Sequence, residues 1–121
     1  MSSLAVVFSS ITSDIYTEKN SDEYLSFFYT SMLHYAISLE IASSSYKGEF
    51  ISFQKLYKTI PKKLGCKSSI KSILDHGVEK TYFIKEQAIK DRRIKKYKLS
   101  ESYSLMITDW YLSRKSRYAS Q

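Results

Sequence analysis

Residues 82–100 read YFIKEQAIKDRRIKKYKLS, in which two short strand-like segments, Tyr82-Phe83-Ile84 and Ile94 to Leu99, flank a charged tip, Lys90-Asp91-Arg92-Arg93. Apolar and polar residues alternate along the second segment, which makes it the antiparallel mate of the first and predicts a basic hairpin. Two short helical units stand directly upstream, FQKLYKTIPKKLG at 53–65 and KSSIKSILDHGVEK at 67–80. In the first, Leu56, Tyr57 and Ile60 share a face, Ser52 is placed to cap its start, and Pro61 stops it by removing an N–H. Leu64-Gly65 then reads as a packed residue followed by a turn. In the second, Ile70, Ile73 and Leu74 form an inner face, with Lys67, Ser68, Lys71, Ser72 and Asp75 outside. Gly77 is expected to weaken its last turn.

The flanks are helical in pattern. The sequence has 3 Gly and 1 Pro, too few punctuators for a many-turned sandwich. Asn20-Ser21-Asp22-Glu23 has the form of a capping box, and Leu25, Phe28, Met32, Tyr35, Leu39 and Ala42 follow at helical spacing. This predicts one long helix over 20–45. A second apolar set, Phe27, Leu33, Ile37 and Ile41, widens its stripe until the helix needs partners on most sides, either a core or a second subunit. Phe50-Ile51 is a brief strand. Ser100-Glu101 starts a final helix over 100–118, with Tyr103, Met106, Ile107, Trp110 and Leu112 inward and Arg114, Lys115 and Arg117 near its negative end. Residues 1–19, weakly periodic and rich in Ser and Thr, are expected to form a loose arm, or an element that orders against a partner.

A chain of 121 residues fits a single domain, 1–121. Its net charge of +7 is unevenly placed: residues 1–46 hold one base against five acids, a balance of −4, and residues 47–121 hold 18 bases against seven acids, a balance of +11. Such a partition points to a polyanion-binding face and a separate surface with another task, the plainer reading being a solvated lysine-rich surface. One cysteine, Cys66, excludes an intrachain disulfide and fits a reducing cytoplasm. No apolar run reaches the roughly 20 residues of a membrane span, and the start lacks the basic region of a signal peptide.

The order is long helix, brief strand, helix, turn, helix, strand, wing, strand, helix. The expected fold is mainly α with a small β-hairpin wing, a winged helix-turn-helix over 50–99 between flanking helices that would serve dimerisation. In this plan the second helix of the pair enters the major groove and the cationic tip enters the adjacent minor groove.

Around the wing the sequence resembles the MarR family of transcriptional regulators. The family pattern is a hydrophobic strand, a loop ending in Asp-(Arg/Lys)-Arg, then seven residues to a Leu-Thr pair that opens the last helix. Here Tyr82 to Lys85 fills the strand, Asp91-Arg92-Arg93 matches the motif, and Ile94 to Ser100 runs ungapped to Leu99-Ser100. Ile70, Ile73 and Leu74 fall on the apolar positions of the family's recognition helix, and Ser68-Ser69 on its small polar pair. The likeness covers about 50–102. The chain departs at Thr81 and Gly77, where the family has Gly and a core Leu, at Pro61 in place of Ala, in a turn through Gly65-Cys66 that is one residue short, and in a wing without Pro.

The resemblance implies a sequence-specific regulator that binds double-stranded DNA as a homodimer, through the helix from about Asp22 and the C-terminal helix. It places Lys67, Ser68, Ser69, Lys71 and Ser72 toward the major groove, and Lys90 and Arg92 at the minor groove or its phosphates. Asp91 would orient Arg93 by charge-assisted hydrogen bonds. Lys55, Lys58, Lys62, Lys63, Lys95, Lys96 and Lys98 are candidate phosphate contacts. A small-molecule effector is compatible with the family, but no residue points to one.

Other chemistry is weakly indicated. Cys66, beside Lys67 and a helix N-terminus, is read as a buried turn residue, with a redox switch as the alternative. His34 is read as a core or interface histidine and His76 as a charge near a helix C-terminus; two isolated histidines make no metal site. No nucleophile–base pair, phosphate-binding loop or cofactor motif is present, so neither an enzyme nor a cofactor is expected. The aromatic residues leave open single-strand or RNA binding by stacking, with Tyr57, Tyr82 and Tyr97 as candidates. A winged-helix module that binds another protein is the remaining alternative.

Overall fold

The computed structural model describes residues 4–9, 12, 23–87 and 94–119, with side chains described as far as 115. Residues 4–9 and 12 are helical, so this part of the expected loose arm has local structure. The main body runs α1 (Glu23–Phe28), α2 (Met32–Tyr46), β1 (Ile51–Ser52), α3 (Phe53–Thr59), a 3₁₀ turn (Lys62–Leu64), α4 (Lys67–Glu79), β2 (Phe83–Gln87), β3 (Lys95–Leu99) and α5 (Glu101–Ala119). This is a winged helix: a helical body with a three-stranded antiparallel sheet in the order β1-β3-β2. Ile51 pairs with Tyr97 on one side of β3, and Phe83 pairs with Leu99 on the other. The Ser45 hydroxyl accepts from the Leu99 N–H at 3.0 Å, which ties the end of α2 to the central strand.

The single helix expected over 20–45 is two helices. Thr30 donates its hydroxyl to the Ser26 carbonyl at 2.7 Å, and its own N–H reaches the Phe27 carbonyl at 3.2 Å, tightening the last turn of α1. Ser31 then takes an extended conformation and caps α2, its side chain accepting from the His34 N–H at 3.1 Å. Hydroxyl side chains that bond the local backbone offer the chain an exit from the helix. Apolar spacing hid the break because both helices bury residues in nearly continuous phase. The core takes Phe27, Leu33, Ile37 and Ile41 together with Leu25, Phe28 and Ala42 of the first set, whereas Met32 of the first set is 66% exposed. The Asn20 cap lies outside the described residues, and Glu23 accepts instead from the Tyr82 hydroxyl at 2.8 Å.

Aromatic residues join these helices to the body. Phe28 is fully buried, with Tyr35 at 4.8 Å and Trp110 at 5.0 Å between ring centroids. Truncating such a side chain to alanine removes about 3–5 kcal/mol of stability. Phe27 packs on Tyr82 at 4.7 Å and on His34 at 5.0 Å, and Ser38 and Tyr103 share a fully buried 2.7 Å hydrogen bond. Tyr82 and Tyr97 are therefore core residues, 3% and 2% exposed, and offer no stacking platform. Leu112, expected inward, is 52% exposed, while Arg114, near the end of the same helix, is only 7% exposed. Its guanidinium lies 4.6 Å from the centre of the Trp110 ring and donates to the Tyr29 hydroxyl at 2.6 Å.

Two helices end in the same way. At the end of α2, the Glu49 N–H reaches the Ser44 carbonyl and the Gly48 N–H reaches that of Ser45; at the end of α4, Tyr82 reaches Gly77 and Thr81 reaches Val78. Each turn places one residue in the left-handed region, Gly48 at φ 78° and Thr81 at φ 63°. Glycine occupies this conformation freely, whereas a β-branched residue is strained there. The same turn explains Gly77. Rather than shortening α4, which continues to Glu79, it lets the Phe83 ring lie against the helix; a Cβ at 77 would overlap that ring.

Candidate nucleic-acid interface

Three local signals fix the helix pair. Ser52 accepts from the Lys55 N–H at 3.1 Å and so caps α3. Pro61 follows Ile60, whose ψ of 127° has already left the helical region, as the residue before a proline prefers. Ile70, Ile73 and Leu74 anchor α4, and Ile70 and Leu74 are completely buried. The opposite face of α4 carries Lys67, Ser68, Lys71 and Ser72, all exposed. Asp75, His76 and Glu79 follow on the exposed side, so cations and hydroxyls gather in the N-terminal half and acids in the C-terminal half. That polarity matters because recognition helices use their N-terminal residues on base edges. Ser69 is half-buried, in contrast to its expected outward position.

Between α4, the start of α3 and the first half of β3 lies a cleft of about 490 Å³, lined by Ser52, Phe53, Gln54, Lys67, Lys71, Ile94, Lys95, Lys96 and Tyr97. Four lysines from two elements thus face one space. Lys71 also borders a shallow concavity with Ser68, Ser72, Asp75, His76 and Glu79, so it stands on the ridge between the cleft and the outer face of α4. Lys95 is half-buried opposite Gln87 in the hairpin. Lys98 lies over the Phe50 ring at 5.6 Å. Lys90, Asp91, Arg92 and Arg93 lie outside the described residues.

Cys66 departs from expectation. It is exposed at the N-terminal edge of α4, with its sulfur 3.1 Å from the Ser68 hydroxyl and 3.3 Å from that of Ser69. Donation from Ser68, then from Ser69, lowers its pKa from 9.0 to about 6. His34 is half-buried rather than core, its Nδ1 2.7 Å from the Ser31 hydroxyl. Burial, and secondarily His76, lowers its pKa below 6.5. Among the described residues, no group of three or more His, Cys, Asp and Glu side chains could hold a metal, and no helix is long and apolar enough to cross a membrane.

A second concavity lies between α2 and α5, a groove of about 650 Å³ lined by Leu39, Ala42, Ser43, Tyr46, Ile107, Thr108, Trp110, Tyr111 and Leu112. The Tyr46 hydroxyl spans it, donating to the Ser104 carbonyl at 2.9 Å and meeting the Thr108 hydroxyl. Sequence reasoning named Leu39, Ala42, Ile107, Trp110 and Leu112 on the apolar stripes of these helices but not Ser43, Tyr46, Thr108 or Tyr111. The useful signal was the excess of apolar positions on α2 over what one core can cover.

Among solved structures, the chain is similar to one described as a MarR-like transcription regulator from Bacillus cereus, at 16% identity and a TM-score of 0.52, with 93% of this chain and 75% of that chain covered. The chain has a MarR-like winged-helix fold. It is also similar to a variant of ZitR from Lactococcus lactis, at 12% identity and a TM-score of 0.47, with 70% of this chain covered; it spans 54% of the ZitR chain. Comparison with family models and with curated proteins gives no match.

Proposed function

We propose that the protein is a sequence-specific double-stranded DNA-binding transcriptional regulator that acts as a homodimer. The observation that carries this reading is the α4 face, where Lys67, Ser68, Lys71 and Ser72 project beside a cleft whose other wall supplies Lys95 and Lys96. A helix with polar residues at its exposed N-terminal half fits a major groove, and adjacent lysines neutralise the flanking phosphates. The fold shared with a MarR-like regulator supports the same reading. In this proposal Lys90 and Arg92 reach the minor groove, Arg93 is held by Asp91, and Ser69 supports the helix start rather than reading bases.

The groove between α2 and α5 supplies the dimer surface in this proposal. It is apolar and open, and Tyr111 and Leu112 beside it are more than half exposed. An exposed apolar patch of this kind marks an interaction site. A two-fold dimer would set two α4 helices into successive major grooves.

Selection of bound sites from a random duplex pool tests binding, specificity and two-fold spacing together. The expected product is a pseudo-palindrome with half-sites about one helical turn apart. Recovery of no enriched duplex at low salt, with a stable complex to a different protein instead, would replace this reading by a protein-binding module. Preferential competition by single strands or RNA would replace it by the stacking alternative, which the burial of Tyr82 and Tyr97 disfavours.

A further inference from the structure

We infer that Phe53 and Tyr57 are positioning residues for Lys67, and that the cleft between α4 and β3 is a channel for the sugar–phosphate backbone of one duplex strand. The inference rests on the duplex-binding reading above and adds how the affinity is set.

The Lys67 ammonium lies 5.9 Å from the centre of the Phe53 ring and 5.8 Å from that of Tyr57. Phe53 and Tyr57 are four residues apart on α3, so their rings stand on one face of the helix. Both rings are half-buried, and α3 is fixed at its ends by the Ser52 cap and by Pro61. The lysine itself is exposed. A cation held within about 6 Å of two ring faces is attracted to both quadrupoles and loses part of its freedom before any ligand arrives. A lysine that is already restrained forfeits less side-chain entropy on gripping an anion than a freely rotating one. The surrounding wall suits a chain of phosphodiesters. Lys67, Lys71, Lys95 and Lys96 line an open cleft together with the polar Ser52 and Gln54 and an apolar floor of Phe53, Ile94 and Tyr97, and among the described residues no carboxylate lines it. A lysine–phosphate grip carries no sequence information, so Lys67 governs affinity, and discrimination between bases falls to Ser68 and Ser72.

The test is fluorescence anisotropy of the full chain with a selected duplex and with a scrambled duplex, across a range of salt concentrations. Lys67→Met should weaken both duplexes alike, by about tenfold, and lower the salt slope by about one per lysine removed. The pair Phe53→Leu and Tyr57→Leu leaves the net charge unchanged, yet should weaken binding by about fivefold. The aromatic exchange Phe53→Tyr with Tyr57→Phe should restore it. In the Lys67→Met background the leucine pair should have no further effect. Equal losses from the leucine pair in both backgrounds, failure of the aromatic exchange to restore binding, or a Lys67→Met variant that changes discrimination rather than affinity would each overturn the positioning role. If the leucine pair lowers the melting temperature too far, Tyr57→Leu alone carries the same cycle. Wild-type protein that binds neither duplex at low salt overturns the duplex reading itself, an outcome distinct from the others.

Discussion

The cleft beside α4 and the groove between α2 and α5 are similar in size, about 490 and 650 Å³, and differ in charge. Four lysines line the first; the second is lined by Leu39, Ile107, Trp110, Tyr111 and Leu112, with Ser43 and Thr108 as its small polar residues. A polyanion that enters the cleft releases counterions, so its affinity falls with salt, whereas an apolar surface that meets its like gains from water leaving it and responds weakly to salt. The two concavities therefore divide the proposed function into parts that can be perturbed separately. The basic half of the sequence supplies the cationic cleft. Of the acids in the first half, Glu23 and Glu40 are among the described residues, and neither lines the groove, whose described lining carries no charge.

The largest separation is expected from Leu112→Asp. A carboxylate placed in an apolar contact without a partner costs about 3 kcal/mol, roughly a hundredfold in self-association. Leu112 is 52% exposed, so the melting temperature of the isolated chain should hardly move. Light scattering would show a monomer; an unchanged dimer would remove the groove from the interface. Lys71→Met should act on the other concavity, weakening duplex binding by about tenfold and reducing the salt slope while leaving self-association intact. A loss confined to one duplex sequence would assign Lys71 to base reading instead of phosphate contact.

Smaller effects test the turn that joins α4 to the hairpin and thus sets the cleft. Gly77→Ala forces a methyl group into the Phe83 ring and should cost about 1–3 kcal/mol by thermal or urea unfolding. Thr81→Gly should stabilise by about 1 kcal/mol, because it relieves a left-handed conformation at a β-branched residue. Wild-type stability in the first variant would mean that the ring can move away. The smallest effect concerns pH. His34 has a folded-state pKa below its ordinary 6.5, chiefly through burial. The unfolded chain then binds more protons, so stability should fall as the pH drops from 6.5 through the folded value and level off below it. A His34→Gln variant should lose that part of the pH dependence.

The elements over 52–87 and 95–100 were legible in the sequence because their signals act locally. A serine cap, a proline stop, three apolar residues on one face and an alternating strand need no knowledge of distant partners. The helix from about Asp22 was misread as continuous because apolar spacing does not register a break made by side-chain hydroxyls. Its periodicity ran through Thr30-Ser31, and only their hydroxyl bonds to the backbone reveal the break. The burial of Arg114 was not legible because it depends on distant partners: Tyr29 and Trp110, 81 residues apart in sequence, build the pocket that receives the guanidinium. Cys66, read as a buried turn residue, is exposed, as are its neighbours Lys67 and Ser68. Departures from the family pattern were informative in themselves. Thr81 occupies a conformation suited to glycine, and Gly77 makes room for Phe83.

The central claim, that one concavity serves a polyanion and the other serves self-association, is tested most directly by measuring both equilibria against salt on the same protein. With about six to ten phosphates neutralised per dimer, duplex affinity should fall by roughly 10³–10⁵ between about 50 and 200 mM salt, while the dimer constant stays nearly level. Duplex binding indifferent to salt, or self-association that falls as steeply as duplex binding, would contradict it.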